Sequence, residues 1–125
     1  MSGFSFDANI LIDALFDDHR ARAELRRAFD DGGIWVSRMA WIEVLSKGSD
    51  AAVQVATRFM SGFKIDEIDI EVAQRAAVLR RERPRLKSPD AIIQATAQLR
   101  GRILVTRNTR DFPANMPGIR VPYQL

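Results

Sequence analysis

The sequence contains no cysteine and only one histidine among its 125 residues. Without cysteine the chain has no disulfide framework, no thiolate nucleophile and no cysteine-ligated zinc site. The single His19 excludes a three-histidine metal centre and makes a Ser-His-Asp triad a poor candidate. Any catalytic chemistry must therefore rest on carboxylates.

Long apolar runs are also missing, since none exceeds four residues, and the sequence predicts no membrane-spanning helix. Asp7 and Asp13 stand where a signal peptide would need a basic start followed by an apolar block. With 46% apolar and 28% charged residues, the composition is typical of a globular domain with its own core. We therefore expect a single domain over residues 1–125, cytoplasmic and without a membrane partner.

The net charge of +3 hides an uneven distribution along the chain. Residues 1–50 carry nine acids and six bases, a net charge of −3, whereas residues 51–125 carry thirteen bases and seven acids, a net charge of +6. The excess of arginine in the later part indicates an anionic partner. The alternative is that these arginines simply lie on solvated helix faces.

Strand-like and helical patterns alternate along the chain, which is typical of a parallel sheet covered by helices on both faces. The pattern predicts strands at residues 3–6, 34–37, 64–68, 102–105 and 119–121. It predicts helices at residues 8–16, 19–29, 39–47, 50–60, 70–83 and 89–100. The fold class is therefore predicted to be α/β, a three-layer α/β/α sandwich with a central parallel sheet of four to five strands.

The last predicted helix has boundary signals at both ends. Ser88 is its expected N-cap, Pro89 lies in its first turn, and Gly101 stands just past its end. Asp69 is the expected N-cap of the preceding helix. These signals place Asp90 in a first helical turn, where the helix dipole favours an acid.

Four acids fall where a parallel sheet would bring them to one edge. They follow the first strand, lie in the helix after the second, open the last long helix and follow the fourth strand, at Asp7, Glu43, Asp90 and Asp111. Ligand sites in open parallel sheets lie outside the carboxyl ends of the strands. The sequence therefore predicts that these acids meet at one mouth.

Each acid also has a purely structural interpretation. Asp7 could cap the helix that follows it, and Glu43 could pair with Lys47 at i,i+4 spacing. Asp90 could serve only the helix dipole, and Asp111 could be a turn former. The joint placement of the four acids is what favours a site.

Converging carboxylates repel one another, so without a cation at least one of them would take up a proton. Mg²⁺ or Mn²⁺ relieves this repulsion, because both are hard ions that prefer oxygen ligands. We expect one or two such ions, with a metal-activated water as the nucleophile.

Three other acids are expected to be solvated, namely Asp13, Asp17 and Asp18. Trp35, Trp41 and Phe59 are expected to pack in the core rather than stack on nucleic-acid bases.

Four short motifs in order resemble one family. They are DAN at residues 7–9, an acid in the helix after the second strand, PDAxIxAxAxxxG at residues 89–101 and LVTRNxxDF at residues 104–112. Together they resemble the PIN-domain ribonucleases, and more narrowly the VapC-like toxins of bacterial type II toxin–antitoxin pairs. The resemblance runs from about residue 4 to residue 112 and implies the three-layer sandwich.

The resemblance implies a catalytic metal site for RNA hydrolysis made of Asp7, Glu43, Asp90 and Asp111. It also implies that neighbouring polar groups orient these carboxylates and the attacking water, at Asn9, Thr106 and Asn108. Many members carry an acid at the position of Asn108, so the fourth ligand position stays open between Asn108 and Asp111. The resemblance further implies a homodimer and a cognate antitoxin that covers the site.

The basic residues around this site are candidates for contacts with RNA phosphates. These candidates are Arg83, Arg85, Lys87, Arg107 and Arg110.

Other function classes fit less well. A response-regulator receiver domain would need adjacent acids after the first strand, but Asp7 is followed by Ala8. No GxGxxG or GxxxxGK[ST] motif appears, which argues against dinucleotide or P-loop binding. The alternative that stays open is a catalytically inactive PIN-fold module for RNA binding or scaffolding.

Overall fold

The computed structural model describes residues 3–124 and contains five strands and six helices over that range. The strands are β1 Phe4–Phe6, β2 Ile34–Ser37, β3 Lys64–Asp66, β4 Ile103–Val105 and β5 Ile119–Arg120. The helices are α1 Ala8–Leu15, α2 His19–Asp30, α3 Arg38–Leu45, α4 Asp50–Met60, α5 Ile70–Glu82 and α6 Ser88–Arg100. The predicted α/β/α sandwich is confirmed, with five parallel strands in its sheet.

The strand order, β3-β2-β1-β4-β5, makes β1 the central strand. All three of its residues are buried, as expected for a strand covered on both faces. The chain first builds the sheet outward from β1 to β3 and then returns to add β4 on the other side of β1. The switch point of the topology therefore lies between β1 and β4, and Phe6 pairs there with Val105. Asp7 and Thr106, the next residues, leave the sheet side by side.

The core is formed by apolar side chains from the sheet and from the helices on it. Phe6 and Leu104 on the strands and Ile10 and Ile93 on the helices are almost entirely buried. Trp41 packs against this core, as expected, but remains partly exposed. Trp35, which was also expected in the core, is partly exposed instead, and its ring lies against the cations of Lys64 and Arg102. Within residues 3–124, no helix is long and apolar enough to span a bilayer.

The start of α6 differs from the prediction. Ser88 is the first residue of the helix rather than its cap, because the N–H of Ala91 donates to the carbonyl of Lys87 at 2.9 Å and extends the turn by one residue. Lys87 thus takes the N-cap position and makes no side-chain cap hydrogen bond. The other end agrees with the prediction, since Gly101 closes the helix with φ +68°.

Candidate active site

Asp7 lies at the end of β1, and its two carboxylate oxygens have different partners. Oδ1 accepts the N–H of Ala8 at 2.8 Å, so Asp7 is also the N-cap of α1. Oδ2 accepts the hydroxyl of Thr106 at 2.8 Å and the side-chain amide of Asn9 at 3.3 Å. Burial raises the pKa of Asp7 despite these hydrogen bonds and the nearby charge of Arg107. Capping and a site at the strand end are thus compatible roles for this residue.

A chain of hydrogen bonds connects Asp7 to the loop after β4. Thr106 Oγ1 donates to Asp7 and accepts the backbone N–H of Asn108 at 3.0 Å. Asn108 Nδ2 donates to Asp111 Oδ2 at 3.0 Å, and Asn108 Oδ1 accepts the N–H of Asp111 at 3.3 Å. Asn108 therefore orients Asp111 within the loop, as in a turn. The side chains of Asn108 and Asp111 line the same cleft as Asp90.

Glu43 reaches the site from α3, and its side chain is half-buried. Its pKa is raised to about 6, mainly by burial and then by the negative charges of Asp7 and Asp90. Lys47, one turn further on, opposes this shift only weakly. Among the ion pairs of residues 3–124, none joins Glu43 to Lys47. The alternative of a simple i,i+4 surface pair therefore receives no support.

Asp90 reaches the same place from the first turn of α6. Burial raises its pKa to about 6, and the charges of Asp7 and Asp111 raise it further in the same direction. An acid that served only the helix dipole would be stabilised in its charged form instead. The raised pKa of Asp90 therefore reflects burial first and the like charges of Asp7 and Asp111 second, so the interpretation of Asp90 as an acid that serves only the helix dipole receives no support.

Two adjacent clefts lie at the carboxyl end of the sheet. The first, with a volume of about 580 Å³, is lined by Asp7, Glu43 and Asp90, and we call it the acidic cleft. The second, of about 830 Å³, is lined by Arg85, Lys87 and Arg110 together with Asp90 and Asp111, and we call it the basic cleft. Asp90, Asn108 and Arg110 line both of them, so the two clefts lie next to each other.

The acidic cleft brings together three of the four predicted acids. Asp111 lines only the basic cleft, beside Asp90. Asn9 and Asn108 also line the acidic cleft, and Thr106 is buried behind Asp7.

The donors of the acidic cleft fit a hard divalent ion. The three acids of this cleft, Asp7, Glu43 and Asp90, offer carboxylate oxygens, which such an ion prefers as ligands. A cation would also relieve the mutual repulsion of these carboxylates. Within residues 3–124, no three acidic or histidine side chains converge tightly enough to hold one ion alone. Mg²⁺ is commonly held by only one or two carboxylates together with water and substrate phosphate, so this spread is compatible with its binding.

The predicted phosphate contacts divide into two groups. Arg85, Lys87 and Arg110 are exposed and line the basic cleft. Arg83 also lines the basic cleft, but it is half-buried and donates to the backbone carbonyl of Asp111 and to the side chain of Gln94. The structure also places Lys47, which sequence reasoning had treated only as a partner of Glu43, on the wall of the acidic cleft.

Arg107 is engaged as well, by an acid that was expected to be solvated. Asp13 is 14% exposed and accepts two hydrogen bonds from the Arg107 guanidinium, at 2.7 and 3.1 Å. The hydroxyl of Tyr123 donates to the same carboxylate at 2.7 Å. Asp13 and Asn9 stand at i,i+4 on α1, so helical spacing was a usable signal that both face the loop after β4. Asp17 is exposed as expected, and Asp18 caps α2.

Comparisons with known proteins agree with this geometry. A chain of a toxin–antitoxin complex from Klebsiella pneumoniae is 39% identical, with a TM-score of 0.85 over 98% of this chain and 99% of that one. A chain of a DNA-bound VapBC complex from Salmonella typhimurium is 25% identical, with a TM-score of 0.79 over 96% of both chains.

A chain of the FitAcB structure from Neisseria gonorrhoeae shares the fold at 19% identity, with a TM-score of 0.76 over 98% of this chain and 99% of that one. Among curated proteins none matches. Residues 5–115 match the sequence model of the PIN domain, which confirms the resemblance found in the motifs. The chain belongs to the PIN domain family.

Proposed function

We propose that this protein is an endoribonuclease toxin that depends on Mg²⁺ or Mn²⁺ and is neutralised by a cognate antitoxin. The observation that carries the proposal is the acidic cleft, where Asp7, Glu43 and Asp90 from three different elements face one another with raised pKa values. The PIN domain and the 39% identity to a chain of a toxin–antitoxin complex support the same conclusion.

In the proposed site, Asp7, Glu43 and Asp90 would hold the metal ion together with water and substrate phosphate rather than as a complete protein cage, and Asp111 would contribute from beside Asp90. The bound ion supplies charge neutralisation at the phosphate and makes water a better nucleophile. The chain itself fixes the geometry: Thr106 and Asn9 hold one oxygen of Asp7, and Asn108 holds Asp111. The reaction is the in-line attack of water on an RNA phosphodiester, which leaves a 5′-phosphate.

The basic cleft is the proposed path of the RNA away from the reacting phosphate. Three cations line it, and none of them has a carboxylate partner among the ion pairs of residues 3–124, namely Arg85, Lys87 and Arg110. Such exposed cations bind phosphates without reading bases. Lys47 offers a further cation on the far wall of the acidic cleft.

We further propose that the protein works in the cytoplasm as a homodimer that an antitoxin covers. The 39% identity to a chain of a toxin–antitoxin complex supports the antitoxin partner. The open alternative, an inactive RNA-binding module, is disfavoured because all four candidate acids are present at the cleft edge.

Cleavage of RNA by the purified chain tests the proposal. Asp7→Asn and Asp90→Asn should each lower the Mn²⁺-dependent cleavage rate at least ~100-fold and relieve growth arrest in cells, because each removes a charged ligand. Asp17→Asn is the matched control, since its side chain is exposed and lies outside the cleft. Full activity in a folded Asp90→Asn variant would refute the site, and RNA binding without any metal-dependent cleavage by the unaltered chain would favour the inactive module.

A further inference from the structure

We infer that Asp13 and Arg107 are positioning residues of the active site, which fix the position of the loop after β4 relative to the acidic cleft. The inference rests on the proposed function, because it concerns how that site is kept in shape. It also assigns Arg107 a role other than the phosphate contact expected from the sequence.

The α1 helix holds residue 107 at two points, one on its backbone and one on its side chain. Asn9 Oδ1 accepts the backbone N–H of Arg107 at 3.3 Å. Asp13, one turn later on the same face, accepts Nε and Nη2 of its guanidinium at 2.7 and 3.1 Å. A bidentate arginine–carboxylate pair fixes both distance and orientation, which a single contact does not.

Residue 107 is also the link between the two polar groups that bond the candidate ligands. Thr106, just before it, donates to Asp7, and Asn108, just after it, donates to Asp111. A displacement of residue 107 would therefore move both bonds together. The pair with Asp13 is the side-chain contact that resists such a displacement.

The Asp13 carboxylate is itself fixed by a third donor, from near the end of the chain. The Tyr123 hydroxyl donates to Asp13 Oδ2 at 2.7 Å, and the ring of Tyr123 lies under the Arg20 guanidinium at 4.6 Å from its centroid. Asp13 is 14% exposed and Arg107 29% exposed, so the pair is largely sheltered from water. An arginine held in this way is not free to follow a mobile phosphate, unlike Lys87 on the basic cleft.

Two measurements distinguish a positioning residue from a phosphate contact. The first is Mn²⁺ affinity by titration calorimetry without RNA, and the second is the dependence of RNA affinity on salt, measured in EDTA so that no cleavage occurs. A phosphate contact contributes about 0.7 to the slope of log affinity against log salt for single-stranded RNA. A residue that orients ligands changes metal affinity by about 10- to 100-fold.

We expect Asp13→Asn and Arg107→Gln each to weaken Mn²⁺ binding about tenfold and to leave the salt slope unchanged. Arg85→Gln, at an exposed residue that lines only the basic cleft, is the matched control: it should lower the salt slope and leave Mn²⁺ affinity unchanged. Tyr123→Phe, which keeps the ion pair, should weaken Mn²⁺ binding by a smaller factor, and it provides the test if either pair variant fails to fold, as judged by circular dichroism and thermal melting.

A lower salt slope with unchanged Mn²⁺ affinity in Arg107→Gln would show that Arg107 contacts phosphate and would overturn the inference. The inference would also be overturned if Mn²⁺ affinity and the salt slope were both unchanged in folded Asp13→Asn, Arg107→Gln and Tyr123→Phe variants. Failure of the proposed function appears separately, as absence of Mn²⁺-dependent cleavage by the unaltered chain, because metal affinity is measured without RNA.

Discussion

Replacing Glu43 by glutamine should stabilise the metal-free protein at neutral pH while it abolishes the proposed activity. Glu43 is the residue to change because its carboxyl is half-buried and faces the negative charges of Asp7 and Asp90. In the folded chain its charged form is therefore costly, and in the unfolded chain it is not. Glutamine has the same shape without the charge and removes this cost.

The size of the effect follows from the pKa of Glu43, about 6 in the folded chain against an ordinary value of 4.5. At about 1.4 kcal/mol per pH unit this difference corresponds to roughly 2 kcal/mol. Solvent screens a partly exposed group, which lowers the expected gain to about 1 kcal/mol, or about 4 °C in Tm for a domain of this size.

The dependence on pH has a definite sign. Because folding raises the pKa, the folded chain binds the proton more tightly, and its stability falls as the pH rises through about 6. Below about pH 4.5 the side chain is protonated in both states and the cost disappears. The advantage of Glu43→Gln should therefore be present at about pH 8 and lost at about pH 4.

Thermal melts in EDTA at these two pH values measure the effect. Glu71→Gln is the matched control: Glu71 is exposed in the first turn of α5, and its loss should destabilise by a few tenths of a kcal/mol, roughly, through the helix dipole. Added Mn²⁺ should reverse the order of Glu43→Gln and the unaltered chain, since only the latter keeps the full ligand set. A folded Glu43→Gln chain no more stable than the original at about pH 8 would refute the electrostatic reasoning.

Three further predictions concern metal binding, the core and a turn. Mn²⁺ affinity, measured by calorimetry, should rise between about pH 5 and pH 7, because Glu43 and Asp90 with pKa values of about 6 must lose their protons to bind; a flat profile would contradict their role. Phe112→Ala should cost about 3–5 kcal/mol in urea unfolding, since the ring is fully buried; a loss below ~1 kcal/mol would contradict its place in the core. Gly3→Ala should cost about 1–3 kcal/mol, because Gly3 has φ +84° and a Cβ there would lie 2.9 Å from the carbonyl oxygen of Gly32; an unchanged melting temperature would contradict this strain.

The elements and the acidic cleft were predictable because their signals are local. Glycine after a helix, as at Gly101, marks a boundary within a few residues. Parallel strands place their carboxyl ends at one edge, so the positions of Asp7 and Glu43 after two neighbouring strands were enough to bring them together. The start of α6 at Ser88 shows the limit of such signals, since one backbone hydrogen bond moved the boundary.

Contacts between distant parts of the chain could not be predicted in the same way. The hydrogen bonds from Arg107 to Asp13 join residues 94 apart, and those from Arg102 to Asp66 join residues 36 apart. Arg102 also lies 3.5 Å over the ring of Trp35. Helical spacing shows which face a side chain occupies, but not which of the many arginines will meet it. That choice depends on how the strands are ordered in space.

The pairing of Arg107 also explains how a cation can stand near the acidic cleft without competing for it. The charge of Arg107 lowers the pKa of Asp7, against the larger effect of burial, and so favours the ionised form that a metal needs. A free arginine at this position could swing toward the carboxylates and occupy the place of the ion. Arg107 lines the acidic cleft, but Asp13 accepts hydrogen bonds from two of its guanidinium nitrogens, so its charge acts on Asp7 while these two donors stay engaged. Asp13, which does not line the acidic cleft, thus restrains the guanidinium of Arg107 and leaves the carboxylates of the cleft available to a metal ion.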